Sequence, residues 1–108
     1  MNEQPRPLLR NRRPTDPGII LREHYLVPRK ILQKDFAGDV EISAKHLSRI
    51  INGHARVDPT LAARIAKTLG TTTAFWVNLQ ASVDAWDGEQ AEANWQPQTV
   101  YPPERAAS

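Results

Sequence analysis

Apolar positions along the chain fall into five groups with helical three-to-four-residue spacing, and no stretch alternates as a strand would. Ile20, Leu21, His24 and Tyr25 follow Asp16-Pro17, a capping residue before a proline at the first helical position, and Pro28 closes the group. The spacing predicts a helix of about three turns. Ile31, Leu32, Phe36 and Ala37 predict a short second helix from Lys30 to Gly38, and Asp39, Val40, Glu41 and Ile42 make a tight connection. Ser43 caps a third helix whose buried stripe is Leu47, Ile50 and Ile51, and Asn52-Gly53 supplies the positive-φ residue that commonly ends one. After a loop from His54 to Val57, Asp58-Pro59 repeats the cap-and-proline device. Leu61, Ala62, Ile65, Ala66 and Leu69 then form the inner face of a fourth helix that stops at Gly70. Thr72 or Thr73 caps a fifth, carrying Phe75, Trp76, Leu79 and Val83 to about Trp86, and beyond Asp87 the apolar period is lost.

The expectation is an all-α chain in three parts. Residues 1–15 hold three prolines and four arginines and read as a flexible basic arm. Residues 16–86 form one five-helix domain, and residues 87–108 form an acidic, proline-containing tail.

Charge sharpens that division. Met1 to Val83 carry 13 basic against 7 acidic residues, whereas Asp84 to Ser108 carry one basic against 5 acidic, inside an overall net charge of +2. A basic body suits a polyanionic partner, although a solvated surface with an unstructured acidic end accounts for the same numbers. The chain has no cysteine, which excludes disulfides and thiolate chemistry and suits a reducing cytoplasm. No run reaches the roughly 18 apolar residues of a membrane span, and no amino-terminal segment reads as a secretory signal. A small cytoplasmic protein is expected.

Two short helices joined by a tight turn, from Lys30 to Asn52, have the length of a helix-turn-helix, whose second helix lies in the DNA major groove. At about 100° per residue, with Leu47 as the buried direction, Ser43 and Ile51 lie about 40° to either side. Lys45 and Arg49 then point about 160° away from the core, one turn apart, flanked by His46, Ser48 and Asn52. That face offers two cations and several hydrogen-bonding groups and no carboxylate. Arg and Lys can take guanine O6 and N7, while Ser, Asn and backbone N–H groups serve phosphates. An ordinary solvated helix with two basic residues is the bland alternative.

Three segments carry a resemblance. From Asp16 to about Asp84 the chain resembles the HigA family of antitoxins, a branch of the lambda-repressor-like (XRE) helix-turn-helix group. The matching stretches are Asp16-Pro17-Gly18-Ile19-Ile20-Leu21-Arg22-Glu23, then Ser43-Ala44-Lys45-His46-Leu47-Ser48-Arg49-Ile50-Ile51-Asn52-Gly53. Leu69-Gly70-Thr71-Thr72 leading into Phe75-Trp76-Val77-Asn78-Leu79-Gln80 completes the set. The resemblance implies a lambda-repressor-like domain that binds operator DNA as a homodimer, represses its own operon and neutralises a RelE-like (HigB-like) ribonuclease toxin. By position it assigns Gln33 to a phosphate, Ser43 to the recognition-helix cap, Ala44, Lys45 and Arg49 to bases, and Asn52 to the backbone. His46 and Ser48 join them from the exposed face, and Arg56 falls in the following loop, suited to a phosphate or the minor groove. Two departures stand out. Gly38 sits inside the second helix, and Glu41 stands where the turn usually carries Gly, which calls for a non-standard turn or a positive φ at about 1 kcal/mol.

Phe75, Trp76 and Leu79 suit core packing, or a dimer seam on the fifth helix. Phe75 and Trp76 are neighbours and cannot face the same way, which leaves one for a partner. Trp86, near the end of that helix, suits a contact with the toxin or a second copy. No cofactor, metal site or catalytic set is expected: His24 and His54 have no metal-spaced companion, and no phosphate loop or nucleophile motif occurs. Two further readings share the fold, a stand-alone repressor without a toxin and a protein-binding module with weak DNA affinity.

Overall fold

The structure is a computed structural model, and residues 12–104 are described. The chain winds through α1 (Pro17–Leu21), one π-helical turn (Arg22–Leu26), α2 (Gln33–Val40), α3 (Ala44–Ile51), α4 (Pro59–Leu69) and α5 (Thr73–Ala91). No strand occurs among the described residues, and none of the helices is long and apolar enough to cross a membrane. Leu21, Leu26, Phe36, Val40, Leu47, Ile50, Ile51, Val57, Leu61, Ile65 and Trp76 share one apolar core. The inner stripes read for the third and fourth helices are all buried.

The first helix departs from regular winding. Leu21 and Leu26 are both essentially inaccessible, yet five residues at about 100° each would set them about 140° apart. The π turn removes the conflict. The Val27 N–H reaches back five residues to the Arg22 carbonyl at 2.9 Å, and the wider turn brings both leucines onto the core face. Asp16 occupies the N-cap position, but its side chain makes no cap hydrogen bond. Its carboxylate accepts from Arg13 Nη1 at 2.7 Å instead, which corrects the capping role expected of it.

The second helix starts and stops later than its apolar spacing suggests. Lys30 adopts a left-handed conformation (φ 58°) and Leu32 is extended, so helical geometry begins only at Gln33. At the far end Val40 is buried and stays helical, and Glu41 stops the helix with φ 63° and ψ 47°. The Ile42 N–H donates to the Ala37 carbonyl at 2.9 Å and the Glu41 N–H to Gly38 at 3.2 Å, a Schellman closure with glutamate where glycine is usual. Glu41→Gly is therefore expected to stabilise the domain by about 1 kcal/mol, because a residue with a Cβ is strained there. Thermal unfolding followed by circular dichroism checks the sign: the midpoint rises.

Cations reinforce two helix ends, that of α2 included. Arg64 donates to the Val40 carbonyl at 3.1 Å at the end of α2, and Arg29 donates to the Leu69 carbonyl at 3.1 Å at the end of α4. Gly53 and Gly70 take the left-handed positions after α3 and α4 (φ 78° and 77°). One glycine matters for a different reason. A Cβ on Gly18 would lie 1.8 Å from the Ile50 carbonyl oxygen, so α1 crosses α3 in direct backbone contact.

The three tryptophans sit at three depths. Trp76 is fully buried, its indole N–H donating to Thr71 Oγ1 at 2.7 Å, with Tyr25 and Phe75 against its ring. Trp86 is half-buried and Trp95 is 64% exposed. The last helix runs to Ala91, beyond the end near Trp86 that periodicity suggests. Past Val83 it buries no further apolar side chain, so the lost period marks the end of burial and not the end of the helix.

Candidate nucleic-acid interface

The pair α2 and α3, joined through Glu41, Ile42 and Ser43, sets the site. Ser43 Oγ accepts from the His46 N–H at 2.9 Å, so α3 begins with the cap expected of it. Leu47, Ile50 and Ile51 anchor the helix inward. Ala44, Lys45, His46, Ser48, Arg49 and Asn52 are all exposed, so the outward face contains the residue types read from the helical wheel. No acidic residue lies in the first turn of α3, and among the described residues no carboxylate pairs with Lys45 or Arg49.

Two of these side chains are already oriented. Arg49 Nη2 donates to the His54 carbonyl at 2.8 Å, which fixes one corner of the guanidinium and leaves its remaining donors for an acceptor outside. Asn52 Nδ2 donates to the Ser48 carbonyl at 2.8 Å, and its amide oxygen has no donor among the described residues. Gln33 is exposed at the first turn of α2, and that helix has no side-chain cap on its leading N–H groups. A helix start without a cap, beside Gln33 and Lys34, is chemically suited to a phosphate oxygen.

Arg56, in the loop that follows α3, is exposed but already paired. Its guanidinium grips Asp84 of α5 with two bonds, Nη1 to Oδ1 at 2.6 Å and Nη2 to Oδ2 at 2.7 Å. Gln80 backs this pair: it is buried, its Nε2 donates to Asp84 Oδ1 at 3.1 Å, and its Oε1 accepts the Val57 N–H at 2.8 Å. One turn further, Arg13 forks onto Asp87 at 2.8 and 2.9 Å. Residues 1–11 of the expected arm lie outside the described residues, and the part inside them is tied down at Arg13. Gln80, Asp84 and Asp87 fall on one stripe of α5, four and three residues apart, and that spacing was their only signal in the sequence. Sequence reasoning missed all three, along with Arg13 and Gly18.

Hydrogen bonding from Arg56 holds the Asp84 carboxyl below the usual carboxylate range, helped by Gln80, and Arg13 does the same for Asp87. A depressed folded-state pKa contributes stability that is complete above the ordinary value and is lost as pH falls through the lowered one. The expected outcome is that Asp84→Asn melts below the parent protein at pH 7 and that the gap closes in strong acid. Paired thermal melts at the two pH values measure it.

The residues expected at a partner contact separate by exposure. Trp76 is fully buried in the core and presents no surface, which corrects its place in that set. Phe75, the outward member of the pair, is 38% exposed, and Leu79 and Trp86 are half-buried.

The profile of the helix-turn-helix family matches residues 21–76, a span that includes α2, the turn and α3. The HTH-type transcriptional regulator YbaQ of Escherichia coli (strain K12) is 38% identical over 72% of this chain and 69% of its own. Antitoxin HigA-1 of Vibrio cholerae serotype O1 is 37% identical over 70% of this chain and 71% of its own. Among solved structures, the Pseudomonas aeruginosa antitoxin HigA with the higBA promoter superposes with a TM-score of 0.67 at 28% identity. That match covers 81% of this chain and 100% of the antitoxin.

Proposed function

The chain belongs to the helix-turn-helix family, in its HigA antitoxin branch, and on that footing we propose that it binds operator DNA as a dimer, represses its own operon and neutralises a RelE-like ribonuclease toxin. The observation that carries the DNA-binding part is the outward face of α3. It is capped by Ser43, free of carboxylates, and presents Lys45 and Arg49 one turn apart. The solved HigA from Pseudomonas aeruginosa, held with a promoter, supports the same use of the fold. In this reading Arg49, Lys45 and Ala44 meet base edges. Ser43, His46, Ser48, Asn52 and the start of α2 at Gln33 meet the phosphates that fix register.

A dimer places two recognition helices about one DNA turn apart, roughly 34–36 Å. Phe75, Leu79 and Trp86 on α5 are the apolar groups available for the second copy or for the toxin. The similarity to YbaQ, a transcriptional regulator by name, favours a second reading as a repressor that works without a toxin.

Titration against the promoter upstream of the gene, with scrambled DNA as control, tests the proposal. Selective binding should weaken ~10³–10⁵-fold between 50 and 200 mM salt if about 6–10 phosphates are neutralised. Weak binding that is equal on both DNAs overturns it. Co-expression with a small toxin encoded beside the gene separates antitoxin from stand-alone repressor, since only the former rescues growth.

A further inference from the structure

The two arginines clasped to α5 have the same geometry toward carboxylates that arginine uses toward phosphates, a planar fork meeting two oxygens. Their location makes this informative. Arg56 lies in the loop that leaves the recognition helix, and Arg49 of that helix bonds the His54 carbonyl of the same loop. Arg13 stands beside it: Asp16 Oδ2, which accepts from Arg13, is 3.0 Å from where a Cβ on Gly53 would be. Arg13, Gly53, His54, Arg56, Asp84 and Asp87 line one shallow polar depression at the carboxyl-terminal end of α3.

We propose that Arg13 and Arg56 form a second site for phosphates of the DNA backbone, occupied in the free protein by the carboxylates of Asp84 and Asp87. The proposal rests on the operator-binding reading and adds a site to it. Both ion pairs are open to solvent, with side-chain exposures of 60% and 39% for Arg56 and Asp84, and 40% and 51% for Arg13 and Asp87. Exposed pairs are weak and screened by salt, so a duplex phosphate competes for the same fork, aided by release of its counterions. The acidic stripe of α5 thus acts as an internal stand-in for the DNA backbone. It lowers affinity for every duplex alike and leaves base selection to Lys45 and Arg49.

The test is a DNA titration of the full chain on promoter and scrambled duplexes from 50 to 200 mM salt. The proteins compared are the parent, Asp84→Asn, Asp87→Asn, Asp84→Asn with Arg56→Ala, and Glu92→Gln as a control for the loss of one negative charge. Asparagine keeps an acceptor for Gln80. Asp84→Asn and Asp87→Asn should each tighten both duplexes several-fold beyond Glu92→Gln, with the slope of log affinity against log salt steeper by about 0.9 per phosphate gained. Adding Arg56→Ala should abolish the gain at Asp84. A gain no larger than that of Glu92→Gln, one that survives without Arg56, or a loss of affinity overturns the site. Should Asp84→Asn fail to fold, Asp87→Asn with Arg13→Ala gives the same decision from the other pair. A parent protein that does not prefer its promoter overturns the operator reading. Preference retained with variants no different from the control overturns only the second site.

Discussion

Gly18→Ala is expected to destabilise the domain by about 3 kcal/mol or more, at or above the top of the range for an overpacked contact. For a domain of this size the melting temperature then falls by roughly 10–25 °C. The sign is informative, because helix propensity alone favours alanine over glycine by about 1 kcal/mol. The new methyl meets the backbone carbonyl of Ile50 and not the end of a flexible side chain, so no rotamer change relieves it. Relief requires α1 and α3 to separate, and α3 is the helix that presents Lys45 and Arg49. Gly38→Ala is the matched control. It is the same substitution within a helix where a Cβ has no neighbour within 4 Å, and it should raise stability by about 0.5–1 kcal/mol. Calorimetry of the two variants checks both signs, and a Gly18→Ala protein that melts at or above the parent refutes the backbone crossing.

Arg49→Ala is expected to weaken operator binding by about 1–3 kcal/mol, roughly five- to 150-fold, and to relax preference at one base position. Gln33→Ala should instead weaken promoter and scrambled DNA alike, the mark of a phosphate contact. The bond from Arg49 to His54 strengthens the expectation, since a guanidinium fixed at one corner loses less freedom on binding. A competition titration over single-base operator variants separates the two behaviours. Equal loss from both substitutions with base preference intact removes Arg49 from base readout.

The parts of this molecule that could be read in advance are those where one local rule decides. Ser43 caps α3, Gly53 ends it in a left-handed conformation, and Leu47, Ile50 and Ile51 point inward because helical winding leaves no other arrangement. Glu41 belongs in part to the same group: its place in the turn called for a non-standard turn or a positive φ, and the chain takes the second. What escaped reading depends on contacts distant in sequence. The π turn exists because Leu21 and Leu26 must face the same core, a demand made by helices not yet in the chain at that point. Asp16 looks like a cap until Arg13 takes its carboxylate. Arg56 looked free for DNA, and only the folded chain brings Asp84, 28 residues on, to its guanidinium. The outer turns of α5 went unseen because apolar period reports burial, and those turns are helical without being buried.

The graded depths of the three tryptophans equip the chain with its own optical gauge. Indole emission moves to longer wavelength as water reaches the ring, so Trp76, packed against Tyr25 and Phe75, reports loss of the core. Trp95 already stands in solvent and is nearly silent to unfolding. A partner that covers the end of the chain would shift the emission of Trp95 to shorter wavelength and leave that of Trp76 unchanged. Folding and capture can thus be followed as two colours in one unlabelled sample.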